Sequence, residues 1–91
     1  MTYLARVEVT LKPAVNDPQG LTVRGGLHLL GFDDVQEVRV GKYLELTLEG
    51  TSQEQAEAQV RDMCEKLLAN PVIEQYSFSV EPAAVADPAT P

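Results

Sequence analysis

Residues 3 to 11 alternate strictly between apolar and polar. Tyr3, Ala5, Val7, Val9 and Leu11 share one parity, and Arg6, Glu8, Thr10 and Lys12 share the other. Period two belongs to the pleat, so this stretch reads as a half-buried strand. The segment KPAVNDPQG (residues 12 to 20) interrupts it with two prolines and a glycine. Asp17 followed by Pro18 marks a helix start: the carboxylate caps free amides, and proline loses nothing at the first helical position. The spacing gives this helix Val23, Leu27 and Leu30 as its buried stripe, with Gly20 one turn earlier and Gly31 closing it. Gly20, Gly25 and Gly26 each cost about 1 kcal/mol relative to alanine inside a helix, so packing rather than propensity must hold it.

VQEVRV and YLELTLE flank Gly41-Lys42 and predict a hairpin, with Leu44, Leu46 and Leu48 facing one way and Glu45, Thr47 and Glu49 the other. A two-residue loop pairs Val40 with Tyr43 and sets Val38 and Val40 against the wrong face. A three-residue connection or a bulge is therefore expected. A second helix follows, opened by a capping box from Thr51 with Glu54 or Ser52 with Gln55. Ala56, Val60, Met63, Leu67 and flanking Cys64 form its apolar stripe. Glu57 with Arg61 and Asp62 with Lys66 are spaced for ion pairs along it. Asn70, tolerant of a left-handed cap, and Pro71 end it, and Tyr76, Phe78 and Val80 alternate as a last strand. The order β-α-β-β-α-β predicts an α+β, ferredoxin-like split βαβ fold, an antiparallel sheet with two helices on one face. Residues 1–81 form one domain, and PAAVADPATP (82 to 91) reads as a disordered tail.

Charge narrows the function. Seven basic against fourteen acidic residues give a net charge of -7, which repels a polyanion, so nucleic acid is not an expected partner. The single cysteine, Cys64, supports neither an internal disulfide nor a zinc cage. No signal peptide opens the sequence and no apolar run approaches a membrane span, so a cytoplasmic protein that binds no membrane is expected.

The candidate chemistry is sparse. Asp17 occupies the amides an anion would need at the first helix. RGGLHLLG (24 to 31) lies inside a helix and lacks the strand-turn-helix setting of a dinucleotide loop. His28, the only histidine, has no nucleophile signature beside it and reads as structural. Cys64 reads as a packed small hydrophobe. Asp33-Asp34 has too few neighbouring ligands for calcium. Arg39 and Lys42 make a small basic point, read either as surface charge paired with Glu45 and Glu37 or as a docking contact. No catalytic, cofactor-binding or metal site emerges.

Three segments carry a resemblance: VEVTLKPAVNDPQG (7 to 20), LLGFDDVQEVRVGKYLEL (29 to 46) and LLANPVIEQYSFSVE (67 to 81). In this order and spacing the chain resembles the PurS subunits of phosphoribosylformylglycinamidine synthase over nearly its whole length before the tail. Ala14 stands where that family often has glycine, and Asn16 where it often has an apolar residue. The resemblance implies a non-catalytic subunit of purine biosynthesis that joins PurQ, the glutaminase, to PurL, the ATP-dependent synthase, so that ammonia passes between them. It also implies a homodimer or higher homo-oligomer. The complex would use ATP and Mg, with no cofactor on this chain. Candidate partner contacts are Lys12, Pro13, Asp17, Pro18 and Gln19 in the first loop, Arg39 and Lys42 in the hairpin, and Asn70 and Pro71 at the last junction.

Two other readings compete. A small-molecule-sensing module on the same fold would need a convergent polar pocket, for which the sequence gives no signal. A ferredoxin-like enzyme of the acylphosphatase kind would need an anion-cradling loop with a positioned arginine, which the acidic residue at Asp17 disfavours.

Overall fold

The computed structural model describes residues 1–83. The chain runs through β1 (Thr2–Leu11), α1 (Pro18–Leu29), β2 (Gly41–Glu49), α2 (Gln53–Met63), a π-helical turn (Cys64–Leu68) and β3 (Glu74–Pro82). The strands form one antiparallel sheet in the order β2-β1-β3. Tyr3, Ala5, Val7 and Val9 face Leu48, Leu46, Leu44 and Lys42 across β2. Ala5, Val7 and Val9 face Val80, Phe78 and Tyr76 across β3. The alternation of the sequence is thus the inner face of the central strand.

α2 covers the β1 and β3 half of that face. Ala56, Val60 and Cys64 lie on one side of the helix at 0% exposure, and Val60 and Cys64 pack with Ala5, Val7, Val9 and Ala69. Burying a valine of this kind contributes roughly 1.5–3 kcal/mol, so this small cluster dominates the stability of the domain. Ser52 caps α2 by accepting from the Gln55 N–H at 3.1 Å, while the Gln55 side chain accepts from Thr51 N–H at 3.0 Å. The π-helical turn then inserts a wider loop of helix, which changes the phase of the apolar stripe. Leu68 packs toward the core, and Leu67, expected there, is 82% exposed. Asp62 and Lys66 pair at 3.0 Å as expected. Glu57 instead accepts from Gln53 at 2.8 Å, and Arg61 lies over the Phe78 ring, 5.3 Å from its centroid.

The ferredoxin-like architecture is present, with two corrections to its expected details. Residues 35–40 form no strand and make no hairpin with β2; they continue β2 as an extended arm past the end of the sheet. The parity conflict noted above is the reason: a tight turn would bury the wrong face, and the chain runs straight through Gly41 instead. Gly41 itself is packed so closely on the Val9 carbonyl that a Cβ would collide with it. Secondly, α1 does not lie on the sheet. It packs along the arm, leaving Val23 at 44% and Leu30 at 74% exposure, so the expected stripe of Val23, Leu27 and Leu30 is not buried in the chain's own core. The radius of gyration is 17.0 Å, against about 12 Å for a compact chain of this length.

The ends of the elements follow local chemistry. Asp17 caps α1 with Pro18 in its first turn, and Gly31 ends it at φ 98°. Asn70 is not left-handed, since no residue other than glycine has positive φ among the described residues. Its side chain instead accepts from the Val72 N–H at 3.1 Å, and its carbonyl accepts from Glu74 N–H at 2.7 Å, which turns the chain into β3. β3 runs through Pro82, and Ala83 N–H donates to the Thr2 carbonyl at 2.9 Å. The rest of the expected tail, residues 84–91, lies outside the described residues.

Candidate functional site

The three segments singled out in the sequence meet at one end of the sheet. Lys12 N–H donates to the Ile73 carbonyl at 2.8 Å, joining the first loop to the junction before β3. Arg39, at the arm, directs its Nη2 at the carbonyls of Lys12 at 2.9 Å, Val15 at 3.1 Å and Leu11 at 3.3 Å. Lys42 Nζ reaches the Leu68 carbonyl at 3.3 Å, where a cation suits the free carbonyls of a helix end.

Asp17 is the centre of this end. One carboxylate oxygen accepts from Gly20 N–H at 2.9 Å and the other from Val40 N–H at 2.9 Å, while Arg39 Nε lies 4.0 Å away. One side chain thereby caps α1 and ties it to the arm. The amide donors, Val40 first and then Gly20, hold the Asp17 carboxyl below its ordinary 3.8 against the opposing effect of burial. With Gly20 N–H already donated to a fixed negative charge, this helix start disfavours a phosphate.

Arg39 and Lys42 therefore bond to main-chain carbonyls, with Asp17 as the ionic neighbour of Arg39. Neither pairs with Glu37 or Glu45 in the chain. Their alkyl stems and bonds hold the loop, the arm and the helix end in fixed relation. Pro13, Pro18, Gln19, Asn70 and Pro71 stand exposed around them. The apolar part of this rim is Val72 at 78% and Ile73 at 39% exposure, both within the expected junction ANPVIE (69 to 74), together with Leu67, which the helical spacing had placed in the buried stripe.

His28 and Cys64 take structural positions. The His28 ring meets the Val35 carbonyl at 2.8 Å, tying the end of α1 to the start of the arm. Cys64 is fully buried, and that burial raises its thiol pKa, the direction that suppresses thiolate chemistry. Across the sheet, the outer face is polar and cross-linked. Arg6 pairs with Glu81 at 3.0 Å, Gln75 donates to Thr10 at 3.3 Å, and Tyr43 donates to Glu45 at 2.9 Å. Such an arrangement can present a wet, charged surface and an apolar rim.

Residues 4–82 match the family model described as "PurS: Phosphoribosylformylglycinamidine (FGAM) synthase". The chain is 51% identical over 79 residues to the phosphoribosylformylglycinamidine synthase subunit PurS of Synechocystis sp., covering 87% of this chain and 79% of that one. The crystal structure of Bacillus subtilis PurS superposes with a TM-score of 0.78 at 51% identity, over 87% of this chain and 98% of the other. A chain in the structure of PurLQS from Thermotoga maritima superposes at 0.82 and 31% identity, over 89% of this chain and 99% of that one.

Proposed function

The chain belongs to the PurS family of phosphoribosylformylglycinamidine synthase subunits, and on that premise we propose that it is the non-catalytic assembly subunit of that enzyme in purine biosynthesis. It joins a PurQ-type glutaminase to a PurL-type synthase, and it does so as a homodimer in the cytoplasm. The observation that carries this reading is the end of the sheet built around Asp17 and Arg39. Its polar groups are spent on fixing three chain segments in place, and what it offers outward is a rigid rim of Leu67, Val72, Ile73 and prolines. The likeness to a chain of PurLQS supports the same assignment. ATP and Mg act on the other subunits, and this chain contributes position.

The physical benefit is delivery. Ammonia released on one protein is diluted and protonated in solvent, whereas two active sites held together share a high effective concentration of it. No helix among the described residues is long and apolar enough to cross a membrane.

The test reconstitutes synthesis from cognate PurL and PurQ with and without this chain. Glutamine-dependent synthesis should fall sharply on its omission, and ammonia-dependent synthesis should fall much less. Equal loss of both, or no loss of either, overturns the reading. Val72→Asp probes the rim better than a change at Arg39, because Arg39 also holds the loop. The variant should melt like wild type and bind its partners more weakly.

A further inference from the structure

The loop after β1, the first turns of α1 and the arm enclose a cavity of about 480 Å³ that the assembly role leaves unused. Pro13, Val15, Leu21 and Val38 give it apolar walls, and Arg24 and Arg39 bring guanidinium groups to it. The walls are held by bonds already described: Asp17 ties α1 to the arm, and Arg39 ties the arm to the loop. Small-molecule sites have this volume and this make-up, pre-formed and largely apolar with a few placed polar groups.

The two guanidiniums differ in what they have left to give. Arg39 is committed, with its Nη2 on the carbonyls of Leu11, Lys12 and Val15 and its Nε 4.0 Å from Asp17. Arg24 is half-buried, and its Nε is shut off from solvent without a hydrogen-bond partner. Among the described residues no other buried side-chain nitrogen or oxygen is left in that state. The ion pairs of those residues engage Arg6, Arg39, Lys66 and the amino terminus, not Arg24. A cation drawn partly out of water is ordinarily paired, because its desolvation is otherwise uncompensated.

The charge already present selects the counter-ion. Asp17 and Glu37 also line the cavity. Asp17 has both oxygens on amide donors and Arg39 beside it, so it does not serve Arg24. Glu37 is exposed and pairs with neither guanidinium. Two carboxylates in the wall disfavour a doubly charged phosphate. A single carboxylate matches the one uncommitted guanidinium, whose planar donors meet both of its oxygens. The apolar walls add a preference for hydrocarbon behind that carboxylate. An acidic face of another protein fits less well, because a net charge of -7 repels it as a whole.

We propose that this cavity binds a small organic acid, with its carboxylate on Arg24 and its hydrocarbon body against the apolar wall. The site is separate from the rim of Val72 and Ile73 and does not rest on the synthase reading. Occupancy would fasten α1 to the loop and the arm at a second place beside Asp17.

The test follows the full, isotope-labelled chain by two-dimensional NMR, with isovalerate as the probe. Isovalerate should saturably shift the Arg24 side-chain N–H and the amides of residues 14–17, 21–24 and 36–39. Isovaleramide has the same shape without the charge and should bind at least about ten-fold more weakly. Inorganic phosphate should give no saturable shift there. Arg24→Gln should lose the response to isovalerate while the rest of its spectrum stays that of wild type. Arg24→Lys, which keeps the charge and loses the planar fork, should retain only a fraction of the affinity. No saturable shift at Arg24, an equal response to isovaleramide or phosphate, or an unchanged response in Arg24→Gln each overturns the proposal. Tighter binding of a blocked glutamate peptide than of isovalerate also overturns it, and assigns the cavity to a partner's side chain instead. None of these measurements involves PurL or PurQ, so the result is independent of the synthase reading.

Discussion

Gly20 and Gly25 occupy the same helix, and substituting alanine should move stability in opposite directions. Propensity alone favours alanine at either position by up to about 1 kcal/mol. A Cβ on Gly25 meets nothing within 4 Å, so that gain should be realised almost in full. A Cβ on Gly20 collides with the Val38 carbonyl, which is main chain and cannot rotate aside. The arm is fixed after that carbonyl by the Arg39 cluster and the Val40–Asp17 hydrogen bond at 2.9 Å, and before it by the His28 ring on the Val35 carbonyl at 2.8 Å. Overpacking costs about 1–3 kcal/mol; a collision with fixed main chain belongs in the upper part of that range, about 2–3 kcal/mol, so after subtracting a propensity gain of up to about 1 kcal/mol Gly20→Ala should lose about 1–2 kcal/mol. For a domain of this size each kcal/mol moves Tm by about 4–8 °C. Thermal unfolding followed by circular dichroism, at one fixed protein concentration so that self-association does not intrude, should therefore lower Tm by about 5–15 °C for Gly20→Ala. Gly25→Ala should raise it by a few degrees. A Gly20→Ala protein as stable as wild type would mean that the arm moves freely against α1, and the argument for a fixed arm would fail.

Other outcomes follow from the same geometry. The Asp17 carboxyl is held below 3.8 in the folded state, so its stabilising effect is complete above that pH and is lost as pH falls through the lower folded value; acid titration of Asp17→Asn should show a flatter loss below about pH 4 than wild type, and coincident acid limbs would refute it. Cys64 is buried with a raised thiol pKa, so a thiol reagent at neutral pH should label it only as urea unfolds the chain, and rapid labelling of native protein would contradict the packing. Arg39→Ala leaves the carbonyls of Leu11, Lys12 and Val15 without their shared donor, a loss of about 1–3 kcal/mol; urea unfolding checks it, and an unchanged midpoint would return Arg39 to the category of surface charge.

Much of this architecture is written in the side chains. Tyr3 to Val9 and Tyr76 to Val80 alternate because one face of each strand is buried, and Ala56, Val60 and Cys64 recur because one side of a helix is. The pattern is weaker where the chain's own core does not cover the apolar side, as on α1. Val23 and Leu30 mark an amphipathic helix correctly, but nothing in their spacing says which sheet they meet. The parity of Val38 and Val40 was visible as a conflict, and its resolution, an arm that makes no hairpin with β2, required the backbone. Leu67 and Leu68 exchange roles through a π-helical turn that no periodic template of 3.6 anticipates. Asn70 tightens the junction through its side chain rather than through a left-handed backbone. Arg39 was legible as a charge and illegible as a tie, because its acceptors are carbonyls, which every residue possesses alike. For the same reason, the convergence of the first loop, the arm and the last junction could be suspected segment by segment but not seen as one place.

The centrality of β1 governs how this protein can be made. The strand nearest the amino terminus finds its first mate at residues 41–49 and its second only at 74–82. A nascent chain therefore holds its most buried strand without a mate until residues 41–49 emerge, and the sheet stays incomplete until residues 74–82 follow. Pairings this distant in sequence form slowly, and a waiting apolar strand is what holding chaperones bind. Closure of the sheet is thus governed by β3, which must cross α2 and the junction before it can reach the central strand.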